Sequence, residues 1–494
     1  MTKEKRVRIN ILCSIILQVT SFTSGIILPR LFLESFGSNT YGLITSISQM
    51  LSFISLGELG IGSVIQYNLY KPLHDKDWFQ VSRIISSARR FFNKLLILIC
   101  VYVFLLASIL PFKFIKEFDY LYTFTLVLSI AVSYFAQYYF GMAYRQLLDA
   151  EALSFVRIIP QIIAIIINVL ATVLLIKVGA SIQLVKLVAS ILFALQPICI
   201  YIYTQKKFPE LNSKIEYNGE PIKQKWNGLA FHIANVITKD TDIVVLTLLS
   251  TLANISVYSI YNMIIYGILA VIEIVLNNYT ALFGDRIAKG NENGVNVLLD
   301  KVELLTHVLI TVVFFCIGRL IVPFVSIYTR NVTDANYIQP LFAILITCAN
   351  AFCCYRLPYH IFVKAAGQYR ETQKATIIEA LVNIVISVAL VYKLGLIGVA
   401  IGTLVAMLYK TIYYCVFLHN NVICRRYTKF VKVFLIDLIS VSICCFLCRN
   451  MQLQELTYLS WIILSVKVFV CSVTTTLVVT ILFYRRKIFE IIRG

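Results

Sequence analysis

The sequence predicts an all-α polytopic membrane protein of about fourteen transmembrane helices, built as two pseudo-symmetric six-helix lobes followed by two C-terminal helices. Three observations predict it: an apolar excess, a one-sided distribution of basic residues, and a weak internal repeat. Apolar residues make up 59% of the 494, charged residues 14%, and mean hydropathy is +0.82. A hydrocarbon core about 30 Å thick takes about 20 apolar residues per helical crossing. So little charge does not cover the surface of a soluble protein of this size. Soluble enzymes, disordered chains and secreted disulfide scaffolds are thereby excluded.

Apolar runs bounded by charge or turn residues define the spans: 9–28, 41–64, 95–111, 121–143, 158–176, 183–203, 228–250, 255–282, 302–328, 338–357, 375–392, 395–417, 431–448 and 457–484. Net charge is +19, and in a membrane chain Lys and Arg first of all set topology. With the N-terminus inside, 32 of the 44 fall on inner segments, counting Arg356 and Lys432 at span edges with them. Seven (Arg30, Lys113, Lys116, Lys177, Arg330, Lys393 and Arg449) fall on outer ones. Both termini are expected in the cytoplasm of a bacterial cytoplasmic membrane, and no nucleic-acid partner is expected. Lys3, Lys5, Arg6 and Arg8 before an apolar run imitate a signal peptide, but no small-residue cleavage pattern follows, so an uncleaved first span is expected.

The outer connections are short. Of the inner ones, 65–94 places Val81, Ile84, Ile85, Ala88, Phe91, Phe92 and Leu95 at helical spacing among Arg83, Arg89, Arg90 and Lys94, which suits a helix lying on the anionic inner leaflet. Residues 204–227 read as a flexible linker. The 13 cysteines fall mostly within apolar runs, as small hydrophobes. Cys445 and Cys448 form a C-x-x-C with no second pair or nearby His to complete a zinc site.

Comparing the halves at an offset of about 215 residues pairs Tyr144 with Tyr359, Ala150 with Ala365 and Asn168 with Asn383; one residue later Lys177-Val178-Gly179 meets Lys393-Leu394-Gly395. Either this is coincidence in low-complexity apolar sequence or it marks two six-helix units of like orientation, as in alternating-access transporters. The organisation expected is an N-terminal lobe at 1–203, a cytoplasmic linker at 204–227, a second lobe at 228–417, and two further helices with a tail at 418–494.

Charge at mid-bilayer is expensive and marks function by default. Lys186, Lys410, Glu58, Glu379 and Asp437 lie near span ends, where they can snorkel. Lys239, Asp240, Asp242, Glu273, Arg319 and Lys467 lie deep. At 100° per residue His232, Asn235, Lys239 and Asp242 share an arc of about 80°, and Asn10, Ser14, Gln18 and Ser21 share a similar one, continued by Gly25. Such stripes face protein or water. They either line a shared aqueous cavity or, for Lys239 and Asp242, neutralise each other in packing. Arg319 and Lys467 either pair with Glu273 or Asp240 or draw an anion, Arg being suited to phosphate. Asp240, Asp242 and Glu273 are candidates for ion coupling. His307 and His360 read as structural. No phosphate-binding loop, G-x-S-x-G or H-E-x-x-H is present, so no catalytic residue, metal or cofactor is expected and the chain is not read as an enzyme.

Several short motifs then point to a family. Pro29-Arg30, Phe36-Gly37, Tyr41-Gly42-Leu43, Gly57-Glu58-Leu59-Gly60-Ile61-Gly62 and Gln66-Tyr67-Asn68-Leu69-Tyr70-Lys71-Pro72 resemble the start of bacterial polysaccharide exporters, the O-antigen and capsule repeat-unit flippases. Thr241-Asp242-Ile243-Val244-Val245-Leu246 and Tyr258-Ser259-Ile260-Tyr261-Asn262 resemble their second-half motifs. The family belongs to the multidrug/oligosaccharidyl-lipid/polysaccharide exporter superfamily. The resemblance implies two lobes around a central cavity and transfer of undecaprenyl-diphosphate-linked oligosaccharide between leaflets for lipopolysaccharide or capsule synthesis. Membrane lipids, a polysaccharide polymerase and glycosyltransferases would be partners. Basic cavity residues would meet the diphosphate: Lys239 first, then Arg30 and Arg319. Pro29 and Gly25 are candidate bending points of the first span. The alternatives are a drug/cation antiporter of the same superfamily, or a polytopic lipid-dependent glycosyltransferase or polymerase.

Overall fold

The computed structural model describes residues 3–58, 61–212, 215, 241–290, 292–421 and 428–493, and among these it is all-helical. Contacts divide the chain into two compact units, Met1–Asp240 and Thr241–Gly494. In unit 1 the helices are α1 (Lys3–Ser52), α2 (Ile61–His74), α3 (Trp78–Lys113), α4 (Tyr120–Ala136), α5 (Met142–Ala150), α6 (Phe155–Lys177) and α7 (Ile182–Lys207). In unit 2 they are α8 (described over 241–249), α9 (Leu252–Asn277), α10 (Tyr279–Ala288), α11 (Glu292–Tyr328), α12 (Pro340–Tyr355), α13 (Leu357–Ala365), α14 (Tyr369–Leu394), α15 (Leu396–Asn421), α16 (Thr428–Leu447) and α17 (Tyr458–Arg493).

Twelve helices among the described residues are long and apolar enough to cross a membrane, which makes this a multi-pass membrane protein. The difference from fourteen has two sources. The expected span 228–250 is described only from 241 onward. The first two expected spans fall within one 50-residue stretch that is two helices meeting at a kink between them. At 1.5 Å per residue an unbroken helix of that length would run about 75 Å, more than twice the hydrocarbon core. The stretch is broken once, at Gly37 (φ 81°, ψ 172°). Only glycine adopts such a backbone without strain. Within the first span Pro29 stays helical, and Gly25 has open space around it.

The segment 65–94 is also different from expectation. Residues 78–94 continue directly into the third span as α3, and Val81, Ile84, Ile85, Ala88 and Phe92 are buried against protein. Ser82 accepts a hydrogen bond from the Asn212 amide (3.0 Å) and Trp78 packs on Phe208 (5.3 Å), so the start of the expected linker is folded onto this face. The apolar periodicity is that of a packing face.

The aligned repeat residues occupy matching places in the two units. Ala150 and Ala365 end α5 and α13, which Tyr144 and Tyr359 fill as buried rings. Asn168 and Asn383 are buried in α6 and α14, and Gly179 and Gly395 both take positive φ (78° and 54°) at the turn into the next helix. α16 and α17 pack on α11 through Phe315, Leu320, Cys444, Cys448, Leu464 and Val468. Cys448 is buried while Cys445 is exposed, so this C-x-x-C does not converge on one point.

In unit 2, α14 packs on α15 through Gly398 and Gly402, a small-x-x-x-small spacing suited to backbone approach in membranes. A Cβ on Gly402 would stand 2.2 Å from Ser387 Oγ, 2.9 Å from its backbone nitrogen and 3.0 Å from the Asn383 carbonyl. Gly402→Val should therefore destabilise the protein by about 1–3 kcal/mol, the range for overpacking. A thermal unfolding midpoint equal to wild type would reject the close approach.

Candidate functional site

The approach of α14 and α15 positions a buried polar cluster around Asp242. Asp242, on α8, is 6% exposed. Its Oδ2 accepts from the Tyr258 hydroxyl of α9 (2.6 Å) and from Thr403 Oγ1 of α15 (2.8 Å). Thr403 in turn accepts from Asn383 Nδ2 of α14 (3.3 Å), whose Oδ1 accepts from Ser387 Oγ (3.3 Å). Thr403 Oγ1 also lies 3.0 Å from the Val399 carbonyl, so one proton serves either acceptor. Asp242 Oδ1 is buried and takes none of these hydrogen bonds, and the Asn262 amide is buried beside Tyr258. A buried carboxylate with spare acceptor capacity is costly unless something binds it. Carboxylate, amide and hydroxyl oxygens suit a proton or a small hard cation. No described group of three or more His, Cys, Asp or Glu side chains is arranged to hold a metal ion. The single carboxylate fits a monovalent charge better than a divalent one.

A second network lies deeper in sequence on the same unit. Glu379, fully buried on α14, pairs through Oε1 with Arg356 and through Oε2 with Lys410. His360 Nδ1 meets Tyr414 Oη at 3.0 Å beside it. His307 pairs with Asp437, under the Tyr355 ring (4.6 Å), and Tyr359 donates to the carboxylate of Glu303. Of the residues expected to snorkel, Glu379 and Lys410 are thus buried in an ion network, and Asp437 is buried against His307. Burial against neighbouring helices took priority over reach to the interface. Glu58 accepts from Tyr138 (2.7 Å), and Lys186 sits over the Phe32 ring (4.0 Å).

The other expected residues are scattered. Lys239, Asp240, His232 and Asn235 lie outside the described residues. Asn10 ties α1 to the turn before α6, donating to the Ala152 carbonyl (2.9 Å) and accepting from the Phe155 amide (2.8 Å). Ser14 and Gln18 are exposed and Ser21 is half-buried, so this stripe, apart from Asn10, faces outward from unit 1. Arg30 pairs with Glu34 one turn on (3.0 Å), both about a third exposed. Arg319 Nη2 donates to the Met451 and Cys448 carbonyls (2.8 and 3.2 Å) just beyond α16, which ties that end to α11. Glu273 is half-buried on α9 and Lys467 is exposed on α17. The partners of Asp242 could have been suspected from Tyr258–Asn262 and from the repeat position of Asn383. Nothing in the sequence singled out Arg356 or Glu303.

No family model matches the sequence, and no curated protein matches it either. Among solved structures the chain is similar to lipid II flippase MurJ in an inward closed conformation, with 16% identity and a TM-score of 0.73 over 97% of this chain and 100% of that one. It is also similar to an inward-facing multidrug resistance MATE family transporter of the MOP superfamily (13% identity, TM-score 0.60, 83% and 97% covered). A third is the Vibrio cholerae MATE transporter VcmN in its bent form (11% identity, TM-score 0.52, 83% and 97% covered). The fold is similar to theirs. At these identities the likeness is one of architecture, over nearly the whole length of each neighbour.

Proposed function

We propose that the protein is a flippase that moves undecaprenyl-diphosphate-linked oligosaccharide repeat units from the inner to the outer leaflet of a bacterial cytoplasmic membrane by alternating access, for O-antigen or capsule synthesis. The observation that carries this reading is the likeness, over the full length of both chains, to a structure named as a lipid II flippase. The short motifs shared with polysaccharide exporters support the repeat-unit substrate. Physically, the sugar head needs a polar path across about 30 Å of hydrocarbon while the polyprenyl tail stays in lipid, so no chemistry is required of the protein. Basic groups, with Lys239 leading and Arg30 next, would hold the diphosphate. Arg319 is weakened for that role by its carbonyl partners. Asp242 is the coupling-ion candidate, ahead of Asp240 and Glu273. A polymerase and glycosyltransferases would supply and consume the substrate.

Lys239→Ala should abolish surface polysaccharide while membrane abundance stays at the wild-type level. Normal polysaccharide would reject the assignment, and consumption of a sugar donor by the purified protein would replace the flippase with an enzyme. A second reading, a drug/cation antiporter, draws on the MATE likeness and on the buried Asp242. It requires gradient-driven efflux of organic cations by proteoliposomes that leave lipid-linked oligosaccharide untouched.

A further inference from the structure

Unit 1 contains a polar cavity that the flippase reading does not use. It measures about 240 Å³ and lies among α5, α6, α7 and the π-helical turn at Gln137–Gly141 that joins α4 to α5. π turns concentrate at functional sites because they redirect side chains from the helical register. Here the turn brings Gln137 to the wall beside Arg145, while α6 supplies Arg157 and Gln161 and α7 supplies Gln196. Gly141 closes on Pro197: a Cβ there would come within 2.8 Å of the proline ring.

The wall is basic and short of acceptors. The Nε–H groups of both Arg145 and Arg157 are buried with no hydrogen-bond partner. Asp149 pairs through Oδ2 with Arg145 Nε at 3.8 Å, the Arg145 side chain being 39% exposed, and accepts from Ser154 Oγ through Oδ1 at 2.7 Å. The two guanidinium groups act on each other as like charges, which Asp149 only partly offsets. Gln196 Nε2 is directed at the Arg157 carbonyl and at Gln161 Oε1, both at a long 3.4 Å, so its amide is loosely held. Two buried Nε–H groups without an acceptor, with one carboxylate between two guanidinium groups, suit a bound anion with several oxygens. Size narrows the ligand further. Pockets for drug-sized molecules run from about 300 to 1,000 Å³, so this one holds a head group and not a whole amphiphile. The cavity lies by the turn from α5 to α6, which the distribution of basic residues assigns to the cytoplasmic side.

We propose that this cavity binds a phosphate or diphosphate group, carried either on a lipid in the inner leaflet or free in the cytoplasm. Arg145 and Arg157 grip the oxygens, and the glutamine amides complete the shell.

The test is calorimetric titration of the purified full-length protein with inorganic pyrophosphate and, separately, with farnesyl diphosphate. Saturable binding of either supports the site. Equal affinities identify the free anion as sufficient, and farnesyl diphosphate at least about tenfold tighter identifies a lipid-borne group. Arg145→Gln and Arg157→Gln should each weaken binding about tenfold or more, the scale of one charge-assisted hydrogen bond, while Arg157→Lys loses less. Because Arg157→Gln also removes like-charge repulsion, its unfolding midpoint without ligand should be no lower than wild type. Should that variant fail to fold, phenylglyoxal labelling of the wild type decides, with pyrophosphate protecting Arg157. Absence of binding by both probes, affinity unchanged in both glutamine variants, or labelling unaffected by pyrophosphate would overturn the proposal. Binding without any lipid translocation would sustain it while removing the flippase reading.

Discussion

Glu379→Ala should lower stability by about 3–5 kcal/mol, the cost of breaking a buried ion network from one side. Glu379 is fully buried and is the shared partner of Arg356 and Lys410, whose side chains are 11% and 7% exposed. Removing the carboxylate leaves two cations facing each other out of water. Lys410→Met removes one charge and keeps the Arg356–Glu379 pair, so it should cost much less. Thermal unfolding in detergent, read as the loss of folded monomer, measures both variants. If Glu379→Ala unfolds at the wild-type temperature, the three groups are not the tightly coupled buried set described. Restoring neutrality in an apolar triple replacement (Arg356→Leu, Glu379→Leu, Lys410→Met) should recover much of the loss, since a well-packed apolar set is often as stable as the ion network it replaces.

The second large effect concerns coupling. Asp242→Asn keeps the size of the side chain and its contacts with Tyr258 and Thr403 while removing the charge that would attract a cation. Transport driven by an imposed sodium or proton gradient should fall about tenfold or more, within the usual range of coupling between sites, with folded protein retained. Tyr258→Phe is the matched control. It removes one hydrogen bond to the carboxylate and should cost about 1.5–3 kcal/mol of stability, the scale of a bond to a charged group. Proteoliposomes containing the Asp242→Asn protein that respond to either gradient as the wild type does would remove Asp242 from the coupling role.

The fold was largely legible because its cause is local and repeated. Each span needs only enough apolar residues in series. The repeat was readable for the same reason: Gly179 and Gly395 occur where a helix must stop and turn, and each takes positive φ there. The break between the first two spans fell at Gly37, inside the expected connection, while Pro29 proved compatible with helix. Local rules failed at 78–94, because an amphipathic face looks the same whether lipid or protein covers it.

The polar residues divide along the same line. Sequence alone determined that this chain spans a membrane many times, that charge inside it is scarce, and that Asp242 stands among the few deep acids. Only the tertiary structure decided what each charge faces. Glu379 joined Arg356 and Lys410, Arg319 was engaged by carbonyls at the end of α16, and Arg145 and Arg157 came together beside a cavity. Hydrophobicity adds along the chain and can be read from it. The energy of a buried charge depends on the groups brought to it by helices distant in sequence, and those meet only when the bundle packs.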